Sequence, residues 1–260
     1  GFVILLILVF TAIFADQISP FGYADQDYMM IRKPPSAAHL LGTDEFGRDI
    51  LSRIIYGSRV SLQVGLVAVS ISLIAGGAIG AVAGYYGGRM DNVLMRIMDV
   101  QLAIPTILLA IVISAALGPG LFNLMVAVGI TSIPRFARLM RASVLSLKGM
   151  EFIEAARAMG AGNFRIIMMY ILPNCMAPLI VQSTLSVANA ILFAATLSFL
   201  GLGIQPPYPE WGGMLSAARP YLRNSAYMSV FPGLAIMVTI LALNFLGDGL
   251  RDALDPKQKR

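Results

Sequence analysis

Residues 151–173 read EFIEAARAMGAGNFRIIMMYILP, a run between apolar segments that is not itself built to cross a membrane. Phe152, Ala155, Ala156 and Met159 recur at helical spacing, so a short helix here carries one apolar, partly small-residue face. Gly160 and Gly162 break that helix, because glycine takes the left-handed conformation that ends one. Asn163 is placed to cap a second helix, which Pro173 stops. A helix of fewer than about three turns is marginal alone in water, so its apolar face asks for a partner surface.

Outward from this loop the chain is apolar. Mean hydropathy is +0.77, with 57% hydrophobic and 13% charged residues, far from the composition of a soluble domain. The apolar residues come in membrane-length runs, which predicts an all-α polytopic protein in one transmembrane domain. Spans are expected at about 1–15, 60–86, 93–117, 121–139, 177–200 and 227–246. The first run is too short for a full span and is read as the latter part of one whose start lies outside this sequence. Between the spans lie loops 16–58, 142–173 and 201–226.

Several residues qualify this outline. Thr43 is placed to cap an interfacial helix with Ile50, Leu51, Ile54 and Ile55 opposite Arg48, Asp49 and Arg53. Ser72, Gly76, Gly80, Gly84 and Gly88 stand four apart, a small-residue ridge suited to close packing within the bundle. Arg96 and Asp99 can pair on one face of the third span, and Pro105 and Pro134 are places to bend. Ser186, Ala190, Ala194 and Ser198 form a second ridge. Trp211 and Tyr208 suit a headgroup-level anchor. Gln101, Thr131, Ser132, Gln182, Ser183 and Asn189 are the polar span residues that could line a translocation pathway, although each can also simply pack or bond a neighbouring helix.

Other chemistry is missing from the sequence. The net charge of +5 comes from scattered basic residues, not from a basic block that would suggest nucleic acid. Cys175 is the only cysteine and His39 the only histidine, which leaves no disulfide framework and no thiolate or histidine-rich metal site. His39 beside Asp44 and Glu45 is too sparse a set for a metal. The chain has no G-x-x-x-x-G-K-[ST] loop, so ATP-driven work must come from another polypeptide. No catalytic residue and no cofactor of the chain itself is expected.

With six spans, the loops around 86–93 and 142–173 and both termini share one side. That side holds twelve of the 19 Lys and Arg: Arg89, Arg96, Arg135, Arg138, Arg141, Lys148, Arg157, Arg165, Arg251, Lys257, Lys259 and Arg260. The positive-inside rule places it in the cytoplasm.

Glu154, Ala155, Ala156, Gly160, Leu172 and Pro173 give E-A-A-x-x-x-G followed by L-P, which resembles the EAA loop of ABC-importer permeases, with Tyr170 where that pattern usually has Ile. The runs HLLGTDEFGRDILSRIIYGSRVSL, MDVQLAIPTILLAI and PPYPEWGGML resemble the dipeptide, oligopeptide and nickel branch of the same family. The resemblance covers nearly the whole chain. It implies a type I ABC-importer permease fold with a cytoplasmic coupling helix, in which Glu151, Phe152, Glu154, Ala155, Ala156, Met159, Gly160 and Pro173 dock an ATPase. It also implies a homologous permease as heterodimer partner, two cytoplasmic ATPase subunits that bind ATP and Mg, an extracytoplasmic substrate-binding protein and a bacterial or archaeal inner membrane. The substrates of that branch are dipeptides and oligopeptides, nickel chelates and glutathione. An ion-coupled secondary transporter is the rival of another class, and it would need unpaired intramembrane acids or histidines. A non-transporting membrane scaffold is the other.

Overall fold

The computed structural model describes residues 1–254. Lys257, Lys259 and Arg260, which contribute to the charge bias, lie outside the described residues. Helices α1 (Phe2–Ile13) and α2 (Ala15–Ile18) lead into an irregular loop. α3 (Ile50–Tyr86) follows, 37 residues long, or about 55 Å at 1.5 Å per residue. The separate interfacial helix expected near residue 50 is instead the first part of α3, since no proline interrupts the run. Its cap is Asp49, whose carboxylate accepts from the Ser52 N–H at 2.7 Å. Thr43, expected in that role, sits opposite Asp49 in an isolated bridge and donates its hydroxyl to the Met30 carbonyl.

The third span is not one helix. α4 (Gly88–Ala103) and α5 (Thr106–Leu117) meet at 92°. Ile104 precedes a proline and is pushed into extended backbone (φ −87, ψ 128), so the helix breaks where the sequence suggested a bend. α5 alone, at 12 residues, is about 18 Å long and short of a hydrocarbon core of about 30 Å. Gly118 and Gly120 turn the chain into α6 (Leu121–Leu147), which contains Pro134. Then come α7 (Glu151–Ala158), α8 (Asn163–Arg165), a π-helical turn at Ile166–Ile171, α9 (Leu172–Asn174), α10 (Met176–Phe199), α11 (Trp211–Ala218) and α12 (Tyr227–Leu254). Among the described residues α3, α10 and α12 are each long and apolar enough to cross a membrane alone, with α4–α5 a fourth crossing if taken as one bent span.

The closest packing is α3 against α6. A Cβ on Gly76 would lie 2.5 Å from the Ile133 carbonyl oxygen and 2.7 Å from Phe136 Cβ; one on Gly84 would lie 2.8 Å from Val144 Cβ. Only glycine permits backbones this near. Gly80 meets Ala137 and Met140 in the same way, and Ser72 donates to the Gly129 carbonyl at 2.7 Å. The ridge is a within-chain seam, and Gly88 lies beyond it, after α3 has ended. The second ridge on α10 (Ser186, Ala190, Ala194, Ser198) is likewise buried.

At one end of the bundle, residues 16–49 and 200–226 fold over the helix ends as a cap. Arg48 pairs with Asp44 at 2.6 Å and Glu45 at 3.1 Å, and Arg53 donates to the carbonyls of Tyr23 and Pro207. His39 Nδ1 stands 3.0 Å from Asp49. Trp211 is not a headgroup anchor but the centre of this cap. It is 1% exposed, sits against Gly57, and donates its indole N–H to the Ile54 carbonyl at 3.1 Å. A tryptophan with its N–H satisfied can be fully buried, and the close approach of Gly57 makes the room.

Candidate functional site

At the opposite end, α7 follows α6 after a short turn and packs beside the π-helical turn at Ile166–Ile171. Glu151 and Glu154 lie in its first turn and Arg157 in its last, each matched to the sign of the helix dipole there. Ile153 and Ala156 are both buried, and Ile153 joins Tyr85, Val144, Ile166 and Ile171 in the main core. Gly160, at φ +81, closes the helix. Its N–H bonds the Arg157 carbonyl and the Ala161 N–H bonds that of Ala156, two bonds that satisfy the last turn's orphan carbonyls. The Tyr85 hydroxyl donates to the Asn163 Oδ1 at 2.8 Å, fixing the following segment to the end of α3.

The outward face is therefore rigidly held but uncovered. Phe152, Ala155 and Met159 are exposed with Glu151, Glu154 and Gly160, and Met159 and Phe164 are each 77% exposed. Three expectations change. Ala156 faces the core, because a helix this short must spend one of its faces as an anchor. Gly162 is extended (φ −68) and takes the cap position expected of Asn163, whose side chain goes to Tyr85. Pro173 does not stop the chain; it lies in the first turn of α9, directly after the π-helical turn. The helical path then continues past Cys175 into α10. Phe164 was not anticipated, although an exposed phenylalanine just past the glycine pair was a visible signal.

The polar span residues do not form one site. Gln101 donates to the Ile130 carbonyl at 2.6 Å, and Thr131 is buried on its own helix's Val128 carbonyl. Ser132 is half-buried. Gln182 bonds Ser186 at 3.0 Å and opens on a groove of about 590 Å³ with Leu139, Asn174 and Arg251. Ser183, one position on, lines a separate apolar groove of about 450 Å³ between α1, α3, α10 and α12. Asn189 is exposed and bonds the Leu185 carbonyl. Asp99 does not pair with Arg96; it bonds Arg138 of α6 at 2.6 Å. Asp91 and Arg141 make a two-pronged pair at 2.5 and 2.6 Å. Among the described residues no cluster of His, Cys, Asp and Glu could hold a metal.

Comparison with known proteins accords with this architecture. Residues 76–260 match the family of binding-protein-dependent transport system inner membrane components, and residues 1–35 match the N-terminal transmembrane domain of oligopeptide transport permease C. A di/tripeptide transport system permease protein of Pseudomonas aeruginosa is 49% identical over 265 residues, covering 100% of this chain and 88% of its own. A dipeptide permease of Alkalihalophilus pseudofirmus is 51% identical, with 100% and 85% covered. A glutathione permease of Pectobacterium atrosepticum is 48% identical, with 99% and 85% covered. In fold, the chain is similar to a chain of the MetNI methionine ABC transporter in an inward-facing conformation. The TM-score is 0.63 at 18% identity, over 79% of this chain and 98% of that one.

Proposed function

This chain belongs to the family of binding-protein-dependent transport system inner membrane components and is a permease subunit of an ABC importer; we propose that it forms half of the path for dipeptides and short oligopeptides. The peptide reading rests on the relatives at 49% and 51% identity, whose names are those of di- and tripeptide permeases. Glutathione, itself a tripeptide, is the second reading, favoured by the relative at 48% identity.

The observation that carries the mechanism is α7: anchored by Ile153 and Ala156, closed by Gly160, and uncovered along Phe152, Ala155, Met159 and Phe164. An ATPase subunit docks on that face. The motion of two such subunits on binding ATP and Mg reaches α3 and α6 through the α7 anchor, because the core beneath it is close-packed. A homologous permease completes the pathway as heterodimer partner, and a substrate-binding protein delivers the peptide to the capped end. The α7 end, with Arg89, Arg96, Arg135, Arg138, Arg141 and Lys148, lies in the cytoplasm by the positive-inside rule. The chain supplies no catalytic group of its own.

The test is affinity purification in mild detergent, followed by uptake of radiolabelled dialanine into proteoliposomes. ATPase subunits and a second permease should co-purify. Gly160→Arg should lose the ATPases while keeping the second permease. Uptake should be competed by tripeptides, and glutathione competing far better would move the second reading to the front. Purification of the chain alone would overturn the docking assignment.

A further inference from the structure

Pro134 lies inside α6 and has no N–H to offer the carbonyl of Ile130, four residues earlier. Such a freed oxygen in a membrane bundle must be satisfied by a neighbour. Here the neighbour is Gln101, whose Nε2 donates to the Ile130 oxygen at 2.6 Å. The acceptor is a carbonyl, so the amide nitrogen must face it. Gln101 stands two residues before the end of α4, and the chain then turns by 92° into α5. One side-chain bond therefore joins the α4–α5 elbow to the Pro134 segment of α6.

α4 is held to α6 by two further bonds, Asp91 to Arg141 and Asp99 to Arg138. Both residues of the Asp99–Arg138 pair are half-exposed, so water can replace it. The Gln101 bond differs in kind: breaking it leaves a backbone oxygen that its own helix cannot satisfy. An arrangement in which the elbow moves while α6 stays is thereby disfavoured. A bundle that alternates between two packings needs such joints.

Accepting the importer reading, we propose that Gln101 is a positioning residue for transport: it locks the α4–α5 elbow to the Pro134 segment of α6 so that both move as one element. The elbow carries the apolar α5, and α6 carries the seam with α3 and leads directly to α7. The bond would thus transmit movement at α7 through α6 to the α4–α5 elbow. Gln101 contacts no substrate in this assignment, which separates it from a pathway residue.

The test uses the assembled transporter with its binding protein in nanodiscs. Cys175 is this chain's only cysteine, so Cys175→Ala, combined with cysteine-free partner subunits, gives a clean background for spin labels at Leu108→Cys on α5 and Leu145→Cys on α6, both exposed. Gln101→Leu should broaden a single distance into a mixed population. It should also lower the maximal rate of binding-protein-stimulated ATP hydrolysis about tenfold, with the half-saturating concentration changed less than about twofold. Pro134→Ala returns an N–H to α6 that can bond Ile130 from within the helix. In that background Gln101→Leu should change either readout by less than about twofold.

The proposal is overturned if Gln101→Leu keeps the wild-type distance distribution, or if its effect is equally large with and without Pro134→Ala. A raised half-saturating concentration at unchanged maximal rate would overturn it in favour of a substrate contact. If wild-type transporter shows no stimulated hydrolysis, the importer reading fails, while the distance comparison still judges the lock.

Discussion

The two ends of this bundle solve opposite problems. The capped end is finished within the chain: Trp211 is buried with its N–H bonded, Arg48 and Arg53 are surrounded by carboxylates and carbonyls, and Glu210 accepts from the amides of Gly212 and Gly213. The α7 end is left unfinished. Its helix has a core-facing anchor in Ile153 and Ala156 and an outer face, with Met159 and Phe164, that nothing among the described residues covers. Burial at the first end stabilises the fold, whereas an exposed apolar face of the second kind is the usual mark of an interaction surface. On the proposed function, the first end is the scaffold and the second the transmitter.

That contrast can be broken by substitution. The largest effect is expected at the cap. Trp211→Ala should cost about 3–5 kcal/mol of stability, as large-to-small changes at buried aromatics do, while leaving ATPase association intact. Thermal exposure of buried Cys175 to a thiol-reactive dye reads the first, and co-purification reads the second. If ATPase binding falls with stability, the two ends are not separate.

The reverse should hold at α7. Met159→Glu puts a charge on the uncovered face and should weaken ATPase association by about 2–4 kcal/mol, the range of interface hot spots, with the melting temperature unmoved. A fall in melting temperature of the isolated chain would mean that the face packs on something within it.

Between the ends lies the α3–α6 seam. Gly84→Ala sets a methyl against Val144 Cβ and the Arg141 carbonyl, next to the α7 anchor. Overpacking here should cost about 1–3 kcal/mol and should reduce both stability and coupling. Stability loss with full coupling would show that α7 is not mechanically tied to the seam.

The smallest effect is one of pH. Burial raises the Glu210 carboxyl above the ordinary glutamate range, against the pull of the Gly212 and Gly213 amides. Glu45 is raised too, by burial first and then by Asp44. A raised folded value means that the folded state holds the proton more tightly. The contribution to stability is then fully present below the unfolded value of about 4.3, and it is lost as pH climbs through the folded value. The melting temperature of the cap should therefore decline over that window, and Glu210→Gln should flatten the decline by about 1 kcal/mol or less. Both shifted groups belong to the finished end, so a slope that survives Glu210→Gln and Glu45→Gln would have to arise elsewhere.

Much of this was legible in the residues. Hydrophobic runs place the helices, because apolar length is a local property of the sequence. Gly160 as a helix stop was readable for the same reason: a short amphipathic run followed by glycine has few alternatives. The seam glycines were readable as a ridge, since a spacing of four needs no partner to be seen. The α7 face was half legible. Phe152, Ala155, Ala156 and Met159 share a stripe, but nothing local shows that Ile153 and Ala156 are the residues spent on anchoring.

The pairings were not legible. Arg96 is nearer to Asp99 in sequence, yet Arg138 takes it. Trp211 carries the composition of a membrane-interface residue, yet it is buried beside Gly57. Asn163 has the chemistry of a cap, yet its oxygen serves Tyr85. By itself, then, the sequence determined that this chain is an apolar helical bundle with a glycine seam and a short helix closed by Gly160. Tertiary structure alone decided that the third span breaks by 92° and that Gln101 satisfies the oxygen freed by Pro134. It also decided which face of α7 is left exposed. Period and propensity are set by neighbours in sequence, but a buried donor goes to whichever acceptor the packed helices bring within 3 Å, and that is a property of the whole fold.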